Sequence, residues 1–378
     1  AAGSTLLAVA VLVGLELPIN LSPPSHVGAP PRAPHAAPPS PTIGHAARHR
    51  AAGASRGPTT FYVSPDGRDS NPGTSPARPW RTVARVDRAE LIPGDVVLFQ
   101  GGKSFSDRTL MPGQGSKVSG AFGRPIVFGS YGSGRAHLER GIWLGAKAKY
   151  PSGPSHLVFE DLALGPEQGF QGTGDYIKLV GLRISHLLGP RGQETGIATE
   201  GSHWVIEDNT ISDTGDSGML LGFDAGRAGD PAGGSDYLVS HNNVTHTGLD
   251  PRLTYARHAI YLKVADARIS DNRLTYFHDD GISMRYRDAM VSHNYIAHGA
   301  IGIAWYQYDD RPGTTRLIGN TIAFTDTAAI FVCGVAESCA RPIESFVVKH
   351  NLMGRSRGEA LNLQPTGGTY EIQANSGL

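Results

Sequence analysis

The chain has 378 residues, enough for one large domain plus extra segments. Its 34 Lys and Arg balance 34 Asp and Glu, which excludes a global field drawing it to nucleic acid or anionic membrane. Two cysteines, Cys333 and Cys339, are too few for a zinc site, and a loop-stapling disulfide in an oxidising compartment is the expectation.

Residues 1–21 begin with an apolar or small run that Glu16 interrupts. The run is short for a membrane span and suits a signal peptide or the remnant of a membrane anchor. The protein is therefore expected outside the cell, or anchored to the outer face of the membrane. Residues 22–58 are rich in Pro, Ala, His and Arg and hold no acid, which predicts a disordered, polyproline-like linker. A folded domain is predicted over 59–378. Phe61-Tyr62-Val63 reads as a strand, and a turn-rich loop with Asp66, Asp69 and Asn71 follows. Trp80, Val83, Val86 and Leu91 lie roughly at helical spacing, giving a short amphipathic helix. Pro93-Gly94-Asp95 turns into a strand from Val96 to Phe99.

A repeat then dominates the chain. Asn209, Asn242, Asn272, Asn294, Asn320 and Asn351 each have an apolar residue three places before and two places after. A Gly or Ala followed by an apolar residue comes next: Gly218-Met219, Ala259-Ile260, Gly281-Ile282, Gly302-Ile303, Ala329-Ile330 and Ala360-Leu361. Around this second signal apolar residues recur every two places, as in Ile260 and Leu262, which is the period of a strand. The 22-residue step from Asn272 to Asn294 fits one tight coil of short strands and bends. Buried amides need partners, so the asparagines are assigned to scaffold. His241, His293 and His350 each precede one of them and are assigned to the turn. Longer spacings place insertions within Thr245 to Arg257, Gly222 to Ser235, Tyr306 to Thr314 and Cys333 to Glu344. Extra residues in a solenoid map to loops, often on the binding side.

The segment F-Y-V-S-P-D-G-R-D-S-N-P-G-T at 61–74, W-R-T-V at 80–83 and P-G-D-V-V-L at 93–98 resemble the N-terminal cap of secreted proteins of the pectate-lyase-like superfamily. G-R-P-I-V-F-G-S-Y at 123–131 resembles their first coil. The resemblance implies an all-β, single-stranded right-handed parallel β-helix whose open N-terminal end is closed by a short helix. It leaves the reaction open, because the superfamily holds lyases, epimerases, hydrolases and non-catalytic surface modules.

With Ile260, Ile282, Ile303 and Ile330 pointing inward, Tyr261, Ser283, Ala304 and Phe331 point outward, followed two places on by Lys263, Arg285, Tyr306 and Cys333. Neighbouring coils are about 4.8 Å apart, so Lys263 and Arg285 are expected side by side. His258 and Asp280 precede the Gly/Ala positions, with Arg257 and Asp279 beside them. Like charges on a sheet repel, so an anionic ligand is the expected partner. Proton abstraction from C5 of a uronate in a polysaccharide fits this strip. Lys263 is either the cation that neutralises the carboxylate or the base, with Arg285 lowering its pKa. His258 is the competing base. Tyr306 or Tyr261 would return the proton. Tyr261, Asp280, Arg287, Tyr308 and Asp309 are candidate substrate contacts. Asp279, Asp280 and Asp216 are candidate calcium ligands, with no other cofactor expected. The nearest match to the epimerase D-P-H motif, Asp250-Pro251-Arg252, ends in arginine. Asp279-Asp280-Gly281 with Asp216 resembles the paired aspartates of polygalacturonases, but no G-H-G or R-I-K motif follows. A monomeric polysaccharide lyase without nucleic-acid or protein partners is the leading expectation. A C5-epimerase, a glycoside hydrolase and a non-catalytic glycan-binding module are the alternatives.

Overall fold

A computed structural model describes residues 56–377 except 113–117, 146–152, 190–193, 223–231, 254–256, 308–310, 333–343 and 365–366. The expected signal segment, nearly all of the linker, and the Cys333 and Cys339 pair lie outside the described residues. So do Tyr308 and Asp309.

Arg56, at the end of the expected linker, is already tied down, its guanidinium donating to Asp95 at 2.7 and 2.5 Å. The first strand runs Thr60–Val63 and pairs in parallel with Val96–Gln100. The helix between them is shorter than its apolar spacing predicts, covering only Val83–Asp87. Thr82 caps it by accepting from Arg85 N, and the Asp107 carboxylate accepts from Val83 N and Ala84 N. Three of the amides left open at a helix start are thereby satisfied. The helix ends at a cap on Arg88, and the Asp87 carboxylate accepts from Met111 N and pairs with Arg108. Trp80, Val83, Val86 and Leu91 are nevertheless all buried in the main core, which they close at its N-terminal end. Asp69 accepts from Arg81 N, Thr82 N and Thr82 Oγ1, so its loop is held as a structural turn.

Beyond the cap every pairing between described strands is parallel, and the register slips only between Tyr295–Trp305 and Thr321–Val332. One ribbon of twelve strands runs from Thr60–Val63 to Tyr370–Gln373. Two further ribbons merge where Tyr295–Trp305 and Thr321–Val332 run unbroken through a corner. The chain thus winds as a parallel β-helix around one continuous apolar core that includes Trp204, Ile260, Ile282, Ile303 and Trp305.

The asparagines form a buried ladder. Each Nδ2 donates to the Oδ1 of the next at 2.9–3.0 Å, from Asn209 through Asn351 and on to Asn375. The second Nδ2 hydrogen reaches a strand carbonyl, such as Ile269 O for Asn294. The residue before each rung is left-handed: Asp208, His241, Asp271, His293, Gly319, His350 and Ala374 have φ between 50° and 67°. Asp and His tolerate that region better than most side chains. The repeated histidines therefore serve the bend.

Candidate active site

The site lies on the second strand after each ladder rung, where register stacks equivalent residues. Tyr261 pairs with Ser283, and Ser283 with Ala304. One step past these strands, Lys263 and Arg285 sit on successive coils, as their spacing predicts. They share one aromatic ring: Lys263 Nζ and the Arg285 guanidinium each lie 4.7 Å from the centre of Tyr261. Arg285 also lies 4.3 Å from the ring centre of Tyr306. Cations over tyrosine faces are attracted by the ring quadrupole, which offsets part of their mutual repulsion.

The strip differs from its sequence reading in depth. Lys263 and Arg285 are only 8% and 7% exposed, and His258 and Asp280 only 1% and 4%. His258 is thus no surface base; its ring packs edge-on against Tyr261. A short relay links these groups. Arg285 Nη1 donates to Ser283 Oγ at 2.9 Å, and Ser283 Oγ donates to Asp280 Oδ2 at 2.7 Å. Asp280 Oδ2 lies 3.2 Å from His258 Nδ1. Burial pushes the Asp280 carboxyl up to about 6, against the pull of Ser283 and Arg285. Burial, then the cations Arg285 and Lys263, drive His258 well below its usual range, so its ring is neutral. Burial also raises Tyr306, which keeps its phenol protonated at neutral pH.

Other predicted residues are placed elsewhere. Asp279 turns to the corner, accepting from Arg257 N at 2.5 Å and meeting His278 Nδ1 at 2.9 Å. Arg287 pairs with Asp288, at 3.3 Å. Asp216 accepts from Ser217 N at 2.7 Å and Thr195 Oγ1 at 3.1 Å. The three proposed calcium ligands are therefore engaged with protein donors, and Asp280 faces a guanidinium-linked serine. Among the described residues no group of three or more His, Cys, Asp or Glu gathers to hold an ion. This donor set does not fit a calcium cage, which needs six to eight convergent oxygens.

The strip also extends further than the asparagine count indicates. Register puts Glu194 in line with Asp216, and Asp250 from the first inserted loop is held over the same coil, its N–H on Gly215 O. Arg252 bridges Asp250 at 2.6 Å and Glu194 at 3.1 Å. Glu200 falls in the column of Lys263 and Arg285, with Gly222 between. The ladder begins at Asn209, and Leu182 holds the equivalent place one coil earlier, donating its N–H to Asn209 Oδ1. The matching of Glu194-Thr195-Gly196 to Asp216-Ser217-Gly218 was the signal that could have found this coil.

No protein-family model matches the chain. Among curated proteins, a lacto-N-biosidase of Bifidobacterium longum is 38% identical over 77 residues, which is 20% of this chain and 5% of that protein's length. Among solved structures, a GH136 lacto-N-biosidase from Eubacterium ramulus superposes with a TM-score of 0.55 at 14% identity, covering 84% of this chain and 67% of that one. Pectate lyase Pel9A gives a TM-score of 0.52 at 16% identity, covering 84% and 76%. A structure described as a glycoside hydrolase gives 0.57 at 11% identity, covering 84% and 96%. Stacked parallel strands, the asparagine ladder and these likenesses agree on the fold: the chain is a right-handed parallel β-helix.

Proposed function

We propose that this protein is a secreted carbohydrate-active enzyme that cleaves a uronate-containing polysaccharide by β-elimination. One observation carries the reading: Lys263 and Arg285, on successive coils, are sunk to the same depth against a single tyrosine ring. Two cations set side by side against tyrosine rings make a place where a bound anion is stabilised. A uronate carboxylate is such an anion, and the guanidinium fork suits it. The glycan-active names of the structural relatives support the substrate class.

Arg285 holds the carboxylate and stabilises the charge that develops on it as C5 is deprotonated. Lys263 takes the C5 proton as the general base. The C5–H electron pair becomes the C4=C5 bond, and the C4–O bond breaks. The leaving oxygen takes a proton from the Tyr306 hydroxyl, and the Lys263 ammonium restores it. His258, Asp280 and Ser283 touch no substrate in this scheme and hold Arg285 in place.

Hydrolysis is the second reading. Asp280, pushed up to about 6, can carry a proton near neutrality as a general acid. Asp216 lies two coils away, roughly 9.6 Å along the axis, at the upper limit for an inverting pair. Incubation with pectate, alginate and chondroitin separates the readings. Ultraviolet absorbance of unsaturated ends supports elimination, and new reducing ends without absorbance support hydrolysis. Inverted C5 in the proton spectrum indicates epimerisation, and binding without product indicates a non-catalytic module.

A further inference from the structure

Beside the strip, a row of aromatic side chains climbs the corner before it. Tyr276, His298 and Phe324 stack at 4.6 and 4.7 Å, with ring planes within 5° of parallel. His246 extends the row at one end, and Arg355 lies over Phe324 at the other. Left-handed backbone at Tyr276, His298, Phe324 and Arg355 turns these side chains out of the coil. Tyr276 is 51% and Phe324 38% exposed. The row flanks a groove of about 480 Å³ whose far end carries Arg355 and Arg357. That volume accommodates a sugar residue or two. The corner is opened there by an irregularity: Gly299 pairs with Thr325, but Ile301 pairs with Ala328, so Asp326 and Thr327 oppose Ala300 alone. Such bulges gather next to functional sites.

The groove lies at the corner that leads into the strand carrying Asp280 and Ser283. His278 lines it and is bonded to Arg257 at 2.6 Å and to Asp279 at 2.9 Å, immediately before Asp280. Its charge is complementary to an acid, since Arg355 and Arg357 face a lone lining carboxylate, Asp326. The Arg357–Asp326 contact is long, 3.4 Å, and exposed, and such pairs are exchanged for a ligand's carboxylate at little cost. Because the rings cover one another's faces, they offer edges, the Tyr276 hydroxyl and the His298 nitrogens. That is a surface for hydroxyl-rich residues more than for a flat apolar ligand.

We infer that this groove is a distal subsite binding a uronate residue of the same acidic glycan that crosses the strip, with Arg355 and Arg357 as its anion contacts. It rests on the proposed substrate class but not on the elimination step. The test uses the Lys263→Ala protein, whose turnover is expected to be slow enough for binding to be read, and calorimetric titration with galacturonate and mannuronate oligomers of increasing length. Affinity for the longer oligomers is expected to exceed that for dimers. Adding Arg355→Gln and Arg357→Gln should lower it roughly tenfold, the scale of a charge-assisted hydrogen bond, while dimer affinity and melting temperature stay unchanged. Equal affinity with and without the two arginines overturns the inference even if the enzyme proves to be a lyase. Failure of every uronate oligomer to bind overturns it as well. Arginine-dependent binding without any unsaturated product from the native enzyme would leave the subsite standing and remove the elimination reading.

Discussion

Asp280 and His258 meet across adjacent coils, carboxylate Oδ2 3.2 Å from imidazole Nδ1, at a depth where both are almost fully out of water. Their protonation is therefore coupled to folding, with opposite signs. Asp280 is raised from 3.8 to about 6, so its contribution is fully present below the unfolded value and is lost as pH rises through about 6. The swing is about 3 kcal/mol at most. His258 is depressed, so its contribution is present above the unfolded value of 6.5 and is lost as pH falls. Asp280→Asn should lose stability less between mildly acidic and mildly alkaline pH than the native protein, and His258→Gln should lose less on acidification. Denaturant midpoints across that range check both slopes, and parallel curves would show the pair to be electrostatically silent.

Replacing the amine at the centre of the strip addresses the chemistry. Lys263→Ala should reduce turnover by at least roughly a hundredfold, the scale of a general base, with melting temperature little changed. Near-native turnover would remove Lys263 from the reaction.

Calcium is tested by its removal. Since Asp216, Asp279 and Asp280 are already bonded to protein donors, activity should be indifferent to a chelator and to added calcium. A loss reversed by calcium would place an ion at the site and require its carboxylates to rearrange.

The ladder makes a prediction about stability alone. Asn294 accepts from Asn272 N and Nδ2 and donates to Ile269 O, Ser292 O and Asn320 Oδ1. Asn294→Ala leaves several of these buried groups without partners, at about 1–3 kcal/mol for each group unsatisfied. A reduced denaturation midpoint should result, and an unchanged one would mean that water or a shift of the coil replaces the amide.

Sequence periodicity carried far here because parallel stacking turns spacing into position. The pairing of Tyr261 with Ser283, the adjacency of Lys263 and Arg285, and the inward direction of Trp305 all follow from counting by twos from the apolar column. Depth does not follow from that count. Whether His258 lies on the surface or beneath it depends on Tyr261 packing across it, a contact between side chains that alternation does not encode. The ladder's last rung was hidden for a similar reason. Asn375 is followed two places on by Gly377 in place of an apolar residue, so the pattern fades while the hydrogen bond persists. Glu194 and Glu200 escaped because their coil carries Leu182 where an asparagine would announce it.

The in-register winding has a mechanical corollary. Each turn of the chain leans only on the turn before and the turn after, so cohesion is passed between nearest neighbours as in a one-dimensional stack. The turn that carries Tyr261 and Lys263 leans on Met219–Leu221 to one side and on Asp280–Met284 to the other. A change that loosens either of those neighbours should therefore be felt at the strip, while one made several turns away should not. The strands that deliver Lys263 and Arg285 are each paired on both sides, so their alignment is guarded twice over.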